Sequence, residues 1–250
     1  MRWARLLGGL AILAVVVWWV GPQPFVTAVR SAGPSALVAA LALTAVTTVC
    51  CAWRWRVLAR GLGVEVSLRE AVSAYYRSQF LNATLPGGVL GDAHRALRHG
   101  ALPVVADRGS GQAVQVAAVG ALLLTGPAPW AAALLTAGMV AALVRWPQVV
   151  VTSLVASAGH VVVFLVAARA AGTDASLAEL VPLALLVLLA ASIPLNVAGW
   201  GPREGMAAWG FAAAGLGAAQ GATVAVLYGV LALVATLPGA VLLARGAVRA

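Results

Sequence analysis

The chain has 250 residues, of which 62% are hydrophobic and only 9% charged, with a mean hydropathy of +0.98; soluble domains carry about 25% charged residues. Its net charge of +9 comes from 16 basic residues, every one of them arginine. These values exclude a soluble globular enzyme and point to a multi-pass membrane protein. Its arginines serve topology and attraction to anionic lipid rather than nucleic acid.

An apolar run over residues 3–20 is predicted as the first helix, ended by Gly21-Pro-Gln-Pro24. Arg2 and Arg5 precede it and Trp18-Trp19 anchors its end, so a retained span is expected rather than a cleaved signal peptide. A second helix is predicted over 35–53. The vicinal Cys50 and Cys51 near its end have no metal or disulfide spacing and read as small apolar filler. Arg54, Arg56, Arg60 and Arg69 then read as a cytoplasmic link. A partly polar helix over 68–83 leads into a first glycine-rich break. Further spans are predicted over 103–125, 130–144 and 149–171. An apolar helix over 177–195 enters a second break, a helix leaves it to about 216, and a last span covers 220–244.

The two breaks are the chain's most informative features. The first reads Asn82-Ala-Thr-Leu-Pro-Gly-Gly-Val-Leu-Gly-Asp-Ala-His-Arg95, and the second reads Ile193-Pro-Leu-Asn-Val-Ala-Gly-Trp-Gly-Pro-Arg-Glu-Gly205. Each has an Asn, then helix-breaking Gly and Pro, then an acid near an Arg. Ionisable groups at membrane depth cost about 2.5–3.5 kcal/mol each on insertion scales, so their default reading is functional. Broken backbone at that depth is tolerated only where protein or a watery cavity satisfies it. Pro86-Gly87-Gly88 must stop the helix before it, and the freed amides beyond can meet an anion. Asp92 and Arg95 stand three apart and share a helix face, where the Arg suits bidentate phosphate binding and Asp92 holds it or takes a proton. Arg203 and Glu204 are sequence neighbours and are expected to face different partners. Asn82 and Asn196 are candidates for capping freed backbone or touching a headgroup.

His94 and His99 read as a solvated cytoplasmic face, and His160 as a satisfied buried histidine. No spacing of His, Cys, Asp and Glu matches a metal site, and no Walker, dinucleotide or nucleophile-elbow motif is present. No cofactor, no metal and no catalytic residue is therefore expected.

Alternating the spans with re-entrant breaks puts most arginines on one side, leaving Arg30 and Arg169 on the other, with both termini cytoplasmic. The two halves then hold the same four elements in opposite orientation, as in inverted-repeat transporters. The predicted fold is an all-α transmembrane bundle forming one domain over 1–250. It has about six full spans, two broken segments, and pseudo-repeats near 1–125 and 130–250.

Asn82-x-x-Leu-Pro-Gly-Gly-x-x-Gly-Asp-x-x-Arg95, preceded by Tyr75-Tyr-Arg-Ser-Gln-Phe80, resembles the first signature of the lysylphosphatidylglycerol synthase transmembrane-region family. Pro194-x-Asn-x-x-Gly-x-Gly-x-Arg-Glu-Gly205, with Tyr228 and Leu237-Pro-Gly239 after it, resembles its second, so the likeness runs over essentially the whole chain. The resemblance implies a flippase-like domain. Its best-known relatives move aminoacylated phosphatidylglycerol between leaflets, and others act near polyprenyl-linked glycolipids. The soluble aminoacyl-transferase domain fused to some relatives is not expected within these 250 residues.

Residues and resemblance together predict a plasma-membrane translocase for a phosphate-bearing lipid. Its site would draw on Asn82, Pro86, Gly87, Gly88, Gly91, Asp92, Arg95, Asn196, Gly199, Gly201, Arg203 and Glu204. A homo-oligomer or a separate lipid-modifying synthase is a possible partner. The rival readings are a membrane-embedded enzyme acting on lipid-linked sugar, with Asp92 and Glu204 as its carboxylates, and a non-transporting partner subunit.

Overall fold

A computed structural model describes residues 30–85, 88–122, 145–193 and 201–248, with the pairs 133–134, 137–138 and 141–142. The predicted first helix, most of the predicted span at 130–144, and Pro86, Gly87, Asn196 and Gly199 lie outside the described residues. Those described fold into eight long or medium helices and no strand: α1 (Pro34–Gly61), α2 (Leu68–Thr84), α3 (Leu90–His99), α4 (Ala101–Leu122), α5 (Pro147–Ala170), α6 (Leu177–Ala191), α7 (Pro202–Ala213) and α8 (Ala218–Val248).

Three of these, α1, α5 and α8 up to Arg245, are long and apolar enough to cross a membrane. At 1.5 Å per residue, each exceeds the roughly 30 Å of hydrocarbon. α4 has the length but carries Asp107, Arg108, Gln112 and Gln115, so its composition alone does not mark it as a span. α6 is apolar but only 15 residues long. The fold is thus an all-helical membrane bundle.

The connections between helices are fixed by local chemistry. α1 and α5 each start with a proline in the first turn, where a missing N–H costs nothing. Ser67 caps α2 by accepting from the Glu70 amide at 3.2 Å. Ser176 caps α6 in the same way, and the Glu179 carboxylate returns to the Ser176 amide at 2.8 Å. The segments leading into these caps match at eight of fourteen places when 59–72 is set against 168–181, counting Glu65 with Asp174. The turns match atom for atom. Gly63 and Gly172, at φ +77° and +76°, donate to Arg60 O and Arg169 O, and Val64 and Thr173 donate to Ala59 O and Ala168 O. A side chain at either glycine would be strained, which is why both turns keep it.

The packing follows the same correspondence. α1 packs on α2 as α5 packs on α6; α3 meets α4 as α7 meets α8; and α2 lies on α8 as α6 lies on α4. The corresponding helices α1 and α5 pack directly on each other, Thr47 against Gly159 and Arg54 against Ser153, and therefore run antiparallel. Gly159 permits this approach, because a Cβ there would lie 2.3 Å from Thr47 Cγ2. The main hydrophobic core gathers the other ends of α1 and α5 with α6, α7 and α8, around Phe164, Leu180, Phe211 and Leu231.

Two outcomes follow for stability. Gly159→Ala should cost about 1–3 kcal/mol by overpacking, and Thr47→Ser, which removes the clashing methyl, should restore most of the loss in a detergent melt. Glu179 has a carboxyl pKa lowered by its hydrogen bonds to Ser176. Its cap therefore contributes above the usual carboxylate range and is lost as pH falls through the lowered value, so Glu179→Gln should flatten the acid limb of a melting profile.

Candidate functional site

α2 and α3 form a helical hairpin whose tip holds the first break. Glu70 lies near His99 at its base, while Ser78 and Asn82 meet Gly91 and Asp92 near the tip. The hairpin closes tightly because Gly91 has no side chain: a Cβ there would lie 2.0 Å from the Ser78 carbonyl oxygen. The Gly91 amide donates to Asn82 Oδ1 at 2.7 Å. Asn82 thus ties freed backbone, one of its two predicted roles. Its amide nitrogen also reaches Asp92 at 3.2 Å, and Ser78 Oγ donates to Asp92 at 3.0 Å.

Asp92 and Arg95 do share a face, with Arg95 Nη2 3.1 Å from Asp92 Oδ1. Sequence reasoning missed the rest of the cluster. The same Nη2 donates to Asp107 Oδ2 at 3.0 Å, and Arg54 Nε donates to Asp107 Oδ1 at 2.8 Å. Tyr75 Oη also donates to Asp107, and Arg108 Nη1 donates to Asp92. Asp107 is fully buried, and Arg95 and Arg54 are nearly so. Arg95 packs into the corner made by two rings, its guanidinium carbon 4.2 Å from the Tyr75 centroid and 4.7 Å from that of Trp55. Arg54 is therefore not part of a solvated link. α1 continues past residue 53 to Gly61 and carries Arg54 inward, where Asp107 and Ser153 satisfy it.

Three guanidinium groups thus face two carboxylates around a cavity of about 210 Å³. Its walls also include Gln79, Gln112, Gln115, Ser153, His160 and Ser192. Arg108 is 30% exposed at its side chain and leans across the cavity, reaching the Ser192 carbonyl at 3.4 Å. Ser192 stands just before the second break, so one side chain touches both polar segments.

The second charged pair is arranged differently. Glu204 accepts from the Gly201 amide at 2.7 Å, capping α7, and Arg203 donates to Glu204 Oε1 through Nε at 2.8 Å. The expectation that these neighbours face apart is corrected. In the first helical turn Glu204 folds back onto the N-cap, and the long Arg203 side chain curls to the same place. Arg203 is buried and lies 5.6 Å from the Tyr228 ring, whose hydroxyl is 3.2 Å from His160 Nδ1. Arg203 and Glu204 do not line the 210 Å³ cavity among the described residues; the path to it from Arg203 runs through Tyr228 and His160. Gly88 stands at the hairpin tip at φ +59°.

Asp107→Asn should destabilise the protein by about 3–5 kcal/mol, because it leaves the buried Arg54 without its counter-charge and Arg95 with Asp92 alone. Asp107→Asn combined with Arg54→Met should be more stable than Asp107→Asn alone. A double-mutant cycle of melting midpoints checks this.

No curated protein and no solved structure was found to match the chain. The profile of the family described as the lysylphosphatidylglycerol synthase TM region matches residues 6–146. That stretch holds the whole α2–α3 hairpin together with Arg54, Asp107 and Arg108. It ends before Ile193–Gly205, so the likeness claimed for the second break rests on that segment's own residues. With more than half of its length matched, the chain belongs to the lysylphosphatidylglycerol synthase TM region family.

Proposed function

We propose that the protein is a lipid translocase of the plasma membrane, not an enzyme. It carries a phosphate-bearing polar lipid, such as aminoacyl-phosphatidylglycerol or a polyprenyl-linked lipid, between leaflets. The observation that carries this reading is the cavity wall in which Arg108 reaches both Asp92 and the Ser192 carbonyl. There the cations outnumber the acids by one, in a fold that belongs to a family of membrane lipid proteins. A phosphodiester is a monoanion and supplies the missing charge. Arg108 offers it a planar donor fork, and Gln112, Gln115 and Asn82 offer neutral donors. Acyl or prenyl tails stay in lipid while the headgroup crosses. Arg203 and Glu204 stand behind this site, linked to its wall through Tyr228 and His160, and Gly88 stands at the hairpin tip. The partner that supplies the lipid is a separate synthase, or a second copy of this chain shares the work.

The translocation path needs two halves that face opposite leaflets. The matched turns at Gly63 and Gly172, the paired packing of the two helix sets and the antiparallel crossing of α1 and α5 support an inverted repeat. In that arrangement the chain has about six full spans in one domain. Both termini and the Gly63 turn are cytoplasmic, and the Gly172 turn is outside. With Cys50 and Cys51 replaced by alanine, single cysteines at Leu62 and Ala171 should react with an impermeant maleimide from opposite sides of the membrane. Labelling of both from one side would remove the inverted repeat.

In proteoliposomes, Arg108→Gln should slow exchange of fluorescent phosphatidylglycerol at least about tenfold, the worth of one charge-assisted contact. Arg95→Ala should abolish exchange, and Arg95→Lys should restore only part of it. Mass spectrometry of the same lipids should show no new species. A covalently altered lipid whose formation is blocked by Asp92→Asn would make the protein an enzyme instead.

A further inference from the structure

A second recess of about 170 Å³ opens at the base of the α2–α3 hairpin, away from its tip. Arg77 and Glu70 line it from α2; His94, Arg95, Arg98 and His99 line it from α3. The spacing explains the convergence: 70 and 77 are two turns apart on one helix, and 94, 95, 98 and 99 form the facing stripe of the other. Three guanidiniums and two imidazoles meet one carboxylate, Glu70, which lies 3.9 Å from His99 Nε2. The two histidines are therefore part of a built basic recess, not a freely solvated face. Arg77 is held by a bond from its Nε to the Ser73 carbonyl at 3.2 Å and lines the recess.

Arg95 is a wall of both this recess and the larger cavity. Its Nη2 is engaged by Asp92 and Asp107, but its Nε and Nη1 are buried with no hydrogen-bond acceptor, in a residue only 2% exposed. These two nitrogens are closed off from the recess in this conformation, where the guanidinium packs on the Tyr75 and Trp55 rings, so the recess draws on the charge of Arg95 rather than on its hydrogen bonds. The outer side of this end of the hairpin is apolar, with Leu97, Leu102 and Val105 all strongly exposed. An anion with hydrocarbon tails fits that division between a cationic inside and an apolar outside.

We propose that this recess is a second, separate phosphate site, in which Arg77 and Arg98 hold a phosphate oxyanion with the charge of Arg95 behind them. Burial lowers the pKa of His99 at the hairpin base, and Arg98, Arg95 and Arg77 push it the same way against Glu70. A bound anion reverses part of that pressure. The site is a binding site in its own right and does not depend on transport, so its failure leaves the translocase reading standing.

The test measures binding rather than exchange. The full chain in phosphatidylcholine nanodiscs is titrated with inorganic phosphate, and in a second arm nanodiscs are doped with increasing phosphatidylglycerol. The ring signals of His94 and His99 are followed by NMR, with His160→Gln removing the third histidine. Saturable shifts of His99 are expected in the lipid arm, with Arg77→Gln/Arg98→Gln weakening the apparent affinity at least tenfold. Arg98 is exposed and Arg77 half-buried, and neither belongs to the Asp107 cluster, so the variant should keep the melting midpoint of the parent. Response in both arms means that any phosphate oxyanion is held, and response to phosphatidylglycerol alone means that the tails on Leu97 and its neighbours are required. Response to inorganic phosphate alone makes it a free-phosphate site and overturns the lipid source. No saturable response, or one that the double variant leaves unchanged, overturns the site.

Discussion

The buried carboxylate of Asp107 is the interaction on which the rest of the first half depends. It is fully buried, and it takes donors from three helices at once: Arg54 on α1, Tyr75 on α2 and Arg95 on α3. An isolated carboxylate in that position would be intolerable, and so would either guanidinium without it. The cluster therefore fixes where α1, the hairpin and α4 sit relative to one another. Its geometry leaves little freedom, since both Asp107 oxygens are used and Arg95 is packed into the corner of two rings. What remains mobile in charge terms is Arg108, which is partly exposed and holds Asp92 from the cavity side.

The segments around the two matched turns share a local scaffold but not a chemistry. The turns at Gly63 and Gly172 agree in sequence and in hydrogen bonds, and the helices that follow them pack alike. Yet where α1 carries Arg54, the corresponding place in α5 is Val163, and where α2 carries Tyr75, α6 has Ala184. Val163 and Ala184 belong to the large apolar core with Phe164 and Phe211. The second half thus supplies most of the non-directional packing, and the first half supplies the polar cavity. The proposed translocation would use both: a rigid apolar body to move against, and a polar surface that a headgroup can follow.

Much of this was legible in the residues. Charges in apolar surroundings marked the first break, and the three-residue spacing of Asp92 and Arg95 foretold their pairing. Arg54 was hidden because it sits between Trp53, Trp55 and Arg56, a pattern that reads as an interfacial anchor until α1 is seen to run eight residues beyond Trp53. Asp107 and Arg108 carried the same signal as the break itself, an acid beside a base within a long apolar helix, but lacked the Gly and Pro that draw the eye. The Arg203–Glu204 pairing was obscured for another reason. The rule that neighbours diverge holds inside a helix, and these two stand in its first turn, where a carboxylate folds back to the cap.

The position of Arg95 links these observations into one constraint on mechanism. A guanidinium that walls two cavities, stacks on two rings and holds two carboxylates through one nitrogen cannot swing out to escort a headgroup without breaking the Asp107 cluster. It acts as a fixed post. In the proposed translocation, a phosphate passing the hairpin moves past that post by exchanging contacts with the less restrained arginines on either side, Arg77 and Arg98 at the base and Arg108 at the cavity. Conduction through a series of sites requires each to bind firmly enough to receive the ion and weakly enough to release it. In that reading, half-buried arginines already engaged with Ser73 or Asp92 meet the requirement better than a bare cation, because the leaving phosphate is replaced at once by a protein acceptor.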